Sequence, residues 1–177
     1  MKVLPMTTTA YLKIESLRQG LITQGCNTES SMGQAYQENH RDEITVLSYS
    51  HFIGYENQSI HTPITIIKRM DKCSPLLSQA CVDGATLTCT LKFYRLNGNG
   101  GHEFFYEVIL SDAIIKSVSP HMPHTIDFNE REMQEVVTIA YGDISWRHVS
   151  LNTAGYSSWI DALESLRNKT NSFRDEY

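Results

Sequence analysis

The segment 86–110, TLTCTLKFYRLNGNGGHEFFYEVIL, decides the fold class. Leu87, Cys89, Leu91 and Phe93 alternate with Thr86, Thr88, Thr90, Lys92 and Tyr94. A period of two rich in β-branched residues sends alternate side chains to opposite faces, the pattern of a strand with one buried and one wet face. The run stops at Asn97-Gly98-Asn99-Gly100-Gly101, residues that tolerate positive φ and close a hairpin. The returning run, Phe104 to Leu110, carries large apolar residues on both pleat faces. Its second face therefore needs a cover, which a sheet with one solvated side does not supply.

Working outward, TAYLKIES (9–16), ITVLSYSHF (44–52), ITIIK (64–68), AIIKSV (113–118) and EVVTIAYGDISWRHV (135–149) read as further strands, so the chain is mainly β. One clear helix interrupts them at about 72–82. Ser74 is placed to cap it, Pro75 suits its first turn, and Gly84 can end it. Its expected apolar face is Leu76, Leu77, Ala80 and Cys81. A possible C-terminal helix lies in SSWIDALESLRNK, with Trp159, Leu163 and Leu166 on one stripe, followed by a frayed tail. Residues 23–43, TQGCNTESSMGQAYQENHRDE, fit no regular element and read as a long extended loop. Loops of that length in compact folds are functional or disordered. The segment is either an arm that docks on a partner or a solvated excursion.

Composition narrows the function classes. With 177 residues, 41% hydrophobic and 10% aromatic, the chain has a globular composition suited to one domain. A formal charge of −5, with no basic run longer than Lys68-Arg69, argues against a nucleic-acid partner. No stretch approaches the roughly 18 apolar residues of a membrane span, and the start MKVLPMTTTAYLKIES lacks a signal-peptide apolar region. Synthesis in the cytoplasm without a signal peptide is expected. Cys26, Cys73, Cys81 and Cys89 form no CxxC pair and read as reduced packing thiols.

Chemistry finds little purchase. There is no GxSxG and no P-loop, and NGNGG lies between two strands, where it makes a turn and no phosphate cradle. Asp42 and Glu43 beside His40 and Arg41 could form an acid-base site, but a charged loop explains them more simply. SPHMPHTID (119–127) sets His121 and His124 three apart, yet Pro120 and Pro123 forbid a helix and disrupt a central strand, so the pair is placed on a connection. No metal, cofactor or catalytic residue is expected.

The blocks YLKIESLRQGLITQGC, YQENHRDEITVLSYSH, HTPITIIKRMDKCSPLLSQA, LKFYR, SPHMPH and WRHV, taken in this order, resemble the Hcp family, the haemolysin-coregulated tube proteins of bacterial type VI secretion systems. The resemblance runs from about Ala10 to about Trp159, leaving 160–177 as an extension of a single domain spanning 1–177. It implies a two-sheet β-barrel with one flanking α-helix, hexameric rings that stack into a tube, and secretion with that tube. The implied partners are further copies of the chain, a contractile sheath, a VgrG-type spike and small secreted effectors, with neither nucleic acid nor membrane insertion. It makes the long loop an assembly element, with Ser31, Met32, Tyr36, Gln37, Glu38, His40 and Asp42 as contact candidates. The wet strand faces, Ser48 and Ser50 on one strand and Thr86, Thr88, Thr90 and Lys92 on another, become candidates for the tube lumen or the outer wall. The alternative from the residues alone is a β-sandwich binding module for carbohydrate or peptide, with the long segment as its ligand loop.

Overall fold

The computed structural model describes residues 8–160, and the proposed C-terminal helix falls almost wholly outside them. The strands are β1 (Thr8–Ser16), β2 (Gly20–Leu21), β3 (Ile44–Ser50), β4 (Ile53–Tyr55), β5 (Ser59–His61), β6 (Ile64–Arg69), β7 (Leu87–Leu96), β8 (His102–His121), β9 (Gln134–Ala140), β10 (Asp143–His148) and β11 (Thr153–Ser158). Helix α1 is a single turn, Glu29–Met32, and α2 spans Ser74–Asp83. The predicted hairpin is β7–β8, and Asn97 anchors its turn by accepting the Asn99 and Gly101 amides on its side-chain oxygen at 3.0 and 2.9 Å.

Barrel closure rests on β8. This 20-residue strand absorbs both the Phe104–Leu110 run and the 113–118 run, which the sequence presents as separate strands. Its first half pairs with β7 on one edge and β10 on the other, and its second half pairs with β9. Because β7, β1, β3, β6 and β9 follow in order, the sheet returns to β8 and closes, which removes open edges along that circuit. The change of partner occurs at a bulge. Register with β7 slips between Leu87 and Cys89, and Asp112 adopts φ 49°.

Gly142 explains why the single strand expected at 135–149 is two. Its amide donates to the Ser111 and Asp112 carbonyls at 3.0 and 3.1 Å, and a Cβ there would stand 3.0 Å from the Asp112 Cβ. Glycine suits this close approach, which a larger residue would keep only if Asp112 gave way, and the chain bends there from β9 into β10.

One core fills the barrel. Alternate residues point inward from β1, β6, β7, β8 and β9: Leu12 and Ile14, Ile64 and Ile66, Leu87, Cys89 and Leu91, Val108 and Leu110, Val137 and Ile139. Leu77 and Ala80 of α2 join this core, so the helix packs against it. The helix occupies the expected region, but its cap lies one residue before Ser74. Cys73 is the N-cap, and Ser74 is the first helical residue, turned inward to a polar cluster. Leu76 lies outside the apolar face and is exposed, and Cys81 sits inside the helix and is half-buried. Gly84 ends it as expected, in the left-handed conformation.

Two expectations about the periphery change. The predicted cover for the second face of Phe104–Leu110 is not a layer of the described residues: Glu107 and Ile109 line a groove with Ser145 and Arg147. Pro120 and His121, placed on a connection by their prolines, are the last paired residues of β8, opposite Glu135 and Gln134. A proline at a strand end forfeits little of the ladder, which is why the strand survives it. The connection proper begins at Met122, so His121 and His124 sit on different elements.

Candidate assembly surfaces

The segment 23–43 is a strap laid on the outside of the barrel. Tyr11 points outward from β1 yet is buried, because the strap covers it. The His40 ring stacks on Tyr11 with centroids 3.4 Å apart and planes 6° from parallel, and it meets Tyr94 edge-on. The Tyr11 hydroxyl donates to the Gln37 side-chain oxygen, and the Gln37 amide donates to Asn27 Oδ1 at 2.7 Å. Asp42 Oδ1 accepts the Gly25 amide at 2.7 Å, and Ser31 Oγ accepts the Lys72 amide at 2.8 Å.

Strap and barrel wall meet at Glu43. Its two oxygens engage His40 Nδ1 at 2.7 Å and Lys92 Nζ at 2.9 Å. Burial by itself would raise this carboxyl, but the hydrogen bonds from His40 and Lys92 and the Lys92 charge hold it below the usual glutamate value. Lys92, read from sequence as part of a wet wall, is therefore engaged by the strap.

The remaining wall candidates separate into two strips. Thr88 and Thr90 lie beside Glu15 and Lys13 of β1, with Thr90 next to Ile109 of β8, on the same outward face as Lys92 and Glu107. Thr86 precedes that strand and is exposed. Ser48 and Ser50 face out beside Ile67 and Thr65 of β6. All are on the outside of the barrel, since its interior is apolar and filled.

A third surface has no counterpart in the sequence reading. Strands β4 and β5 pair only with each other, as a hairpin off the main sheet. Phe52 (62% exposed), Ile53 (46%), Tyr55 (80%) and Ile60 (36%) give it an apolar surface. At its base His51 Nε2 and His61 Nδ1 share the Tyr141 hydroxyl at 2.8 and 3.0 Å, and His61 Nε2 also meets Ser157 Oγ at 3.0 Å. Burial lowers both imidazoles from the ordinary histidine value, and their mutual repulsion adds to this at His51 against a raising backbone hydrogen bond.

Comparison with known proteins fits this architecture. The family model described as type VI secretion system effector, Hcp, matches residues 11–148, from β1 to the end of β10. The chain belongs to the Hcp family. It is 36% identical over 166 residues to the "Major exported protein" of Pseudomonas aeruginosa, covering 87% of this chain and 96% of that one. Among solved structures, one described as an Hcp protein superposes with TM-score 0.81 at 30% identity, covering 86% of this chain and 98% of that one. "Secreted protein Hcp3 from Pseudomonas aeruginosa" superposes with TM-score 0.78 at 36% identity, with the same coverages.

In this Hcp chain the loop candidates divide by their attachments. Ser31, Gln37, His40 and Asp42 are tied to their own subunit, Met32 is half-buried, and Tyr36 and Glu38 are the exposed members. The hairpin's local signal was HFIGY and SIHTPI flanking Glu56-Asn57-Gln58, where Asn57 takes φ 62°. Three-residue strands are too short to declare themselves by period. The thiols are shielded: burial pushes Cys89 up to about 12, and a hydrogen bond with Cys26 together with burial raises Cys73. Both shifts oppose what a thiolate nucleophile requires.

Proposed function

We propose that this chain is the tube subunit of a bacterial type VI secretion system. The full chain acts as one tube-building domain. Copies close into hexameric rings, the rings stack into an inner tube within a contractile sheath, and a VgrG-type spike caps it. Assembly is cytoplasmic, and the subunit leaves with the tube, carrying small effectors in the bore. No chemical reaction is asked of it.

The observation that carries this reading is the β4–β5 hairpin. An isolated two-stranded hairpin is marginal in water, and this one exposes Phe52, Ile53, Tyr55 and Ile60. Burial against a neighbouring copy would stabilise it and remove the apolar patch from water. A heterologous contact repeated with closure makes a ring, and axial repetition makes a tube. Family membership and the exported relative support the same reading. The hydroxyl-bearing strips, Thr86, Thr88 and Thr90 or Ser48 and Ser50, suit a hydrated bore that does not retain cargo.

Light scattering with negative-stain imaging of the purified chain tests it. Rings of six copies, stacking at high concentration, are expected. A monomer that persists at high concentration overturns the proposal.

A further inference from the structure

A cluster away from these surfaces brings two thiols together. Cys26 on the strap and Cys73 at the N-cap of α2 are both fully buried, and their sulfurs and an Asp71 carboxylate oxygen all lie within 4.8 Å of one another. The backbones that carry them are already joined by one hydroxyl: Ser31 Oγ donates to the Cys26 carbonyl at 2.5 Å and accepts the Lys72 amide at 2.8 Å. Asp71 Oδ1 accepts from the Cys73 sulfhydryl at 2.8 Å and from the Cys73 amide at 3.0 Å.

We propose that Cys26 and Cys73 are a disulfide-forming pair, reduced in a reducing compartment and cross-linked when the folded chain meets an oxidising small-molecule disulfide, so that the strap is stapled to the start of α2. Sulfurs held within 4.8 Å of each other are neighbours in the fold, and a bond requires them to close to about 2.05 Å. Cys81 and Cys89 are outside this cluster.

The same two sulfurs and carboxylate are also the donor set of a soft cation, but the site already holds a positive charge. Lys68 Nζ lies 3.1 Å from Asp71 Oδ1 and is itself fully buried. Burial would lower this ammonium, yet the Cys73 sulfur, Asp71 and Glu135 more than compensate and keep it protonated. A divalent ion at the sulfurs would compete with the Lys68 ammonium for Asp71 and be repelled by it, whereas a neutral disulfide would not.

The chemistry is thiol–disulfide exchange. Cys26 is buried in the core, so its attack requires local opening of the strap, which breaks hydrogen bonds such as Gly25 to Asp42 and uncovers the thiol. Its thiolate attacks one sulfur of oxidised glutathione, forming a mixed disulfide and releasing one reduced glutathione. While the strap is open, Cys73 is freed from the Cys26 hydrogen bond, the burial and the Asp71 contact that raise its thiol; it loses its proton to water and displaces the second glutathione, which takes up a proton on leaving. Two protein thiols are oxidised, one glutathione disulfide is reduced to two thiols, and the electrons balance.

The test incubates the folded full-length chain with oxidised glutathione, alkylates remaining thiols and measures intact mass before and after proteolysis. The expected result is a fall from four alkylated cysteines to two, a linked peptide joining Cys26 to Cys73, and a rise of several degrees in melting temperature that dithiothreitol reverses. Cys26→Ala and Cys73→Ala should each abolish link and rise, and the parent's peptide map decides the matter even if either variant folds poorly. Four free thiols after oxidation, a stable glutathione adduct, a link to Cys81 or Cys89, or zinc retained in native mass spectra would each overturn it.

Discussion

Lys68 Nζ lies 2.6 Å from Glu135 Oε1, and both side chains are shut off from solvent. The two residues are directly paired across β6 and β9. Ser74 Oγ completes the cluster, donating to Glu135 at 2.7 Å while accepting from Lys68 at 3.1 Å and from the Asp71 amide at 3.0 Å. The ammonium thus ties two strands to the start of α2. It stands between two carboxylates, Asp71 and Glu135, so its loss leaves both without a cation. Lys68→Met should destabilise the subunit by about 3–5 kcal/mol, the range for breaking a buried ion pair. Glu135→Gln keeps Lys68 paired with Asp71 and should cost clearly less. Urea titrations of both variants check the ranking, and equal losses would contradict it.

The histidines at the hairpin base set a pH dependence. Their folded values lie below the unfolded value of about 6.5. Above about pH 6.5 both are neutral in either state and their contribution is fully present. As pH falls through 6.5 towards the lowered folded values, the unfolded chain binds protons that the folded one resists, so stability declines. Melting temperature should therefore fall between pH 7.5 and 5.5, and His51→Gln with His61→Gln should flatten that fall. The Glu43 contribution belongs to a separate window, below the ordinary glutamate value near 4.3. A parent profile that is flat from 7.5 to 5.5 would sink the idea.

Removing the exposed rings of the hairpin should separate assembly from folding. Phe52→Ser with Tyr55→Ser deletes apolar surface that the subunit does not bury on its own. Monomer stability should change by no more than about 0.5 kcal/mol. Each copy should lose roughly 2 kcal/mol or more of association energy if the rings anchor an interface. Sedimentation at a series of concentrations reads the second quantity, and unchanged association would remove the hairpin from the interface.

What could be read from sequence followed from the length and clarity of each pattern. β7 declared itself because Leu87, Cys89 and Leu91 hold one face in the first half of a ten-residue strand. Lys68 continues the inward row of Ile64 and Ile66, but nothing local marks a lysine as buried until Asp71 and Glu135 are known to meet it. Pro120 suggested a turn because the ladder bond it forfeits is costly only in a central position, and its place at the end of β8 was not visible locally. The strap stayed open between a docking arm and a solvated excursion because what holds it to the barrel is mostly polar and long-range. His40 on Tyr11 and Gln37 on Asn27 leave no periodic trace. β4 and β5 are too short for any period to emerge, so their exposed apolar surface was not legible.

Charge reversal on the strap is now a sharper experiment, because Glu38 and Asp42 are not equivalent. Asp42 Oδ1 accepts the Gly25 amide at 2.7 Å and helps fasten the strap, so Asp42→Lys breaks a charge-assisted hydrogen bond worth about 1.5–3 kcal/mol and disturbs the subunit itself. Glu38 is exposed beside the His40 that stacks on Tyr11. Glu38→Lys should leave the melting temperature nearly unchanged, since an exposed substitution of this kind alters stability by no more than about 0.5 kcal/mol. Where the strap faces a neighbouring ring, the reversal changes the sign of an axial contact. Stacking should weaken, and added salt should reduce the difference from the parent by screening it. Negative-stain counts of stacked against single rings, at low and at high salt, measure this directly. If Glu38→Lys stacks as readily as the parent at both salt concentrations, the strap is a cover for Tyr11 and its own barrel, and the axial contact lies elsewhere.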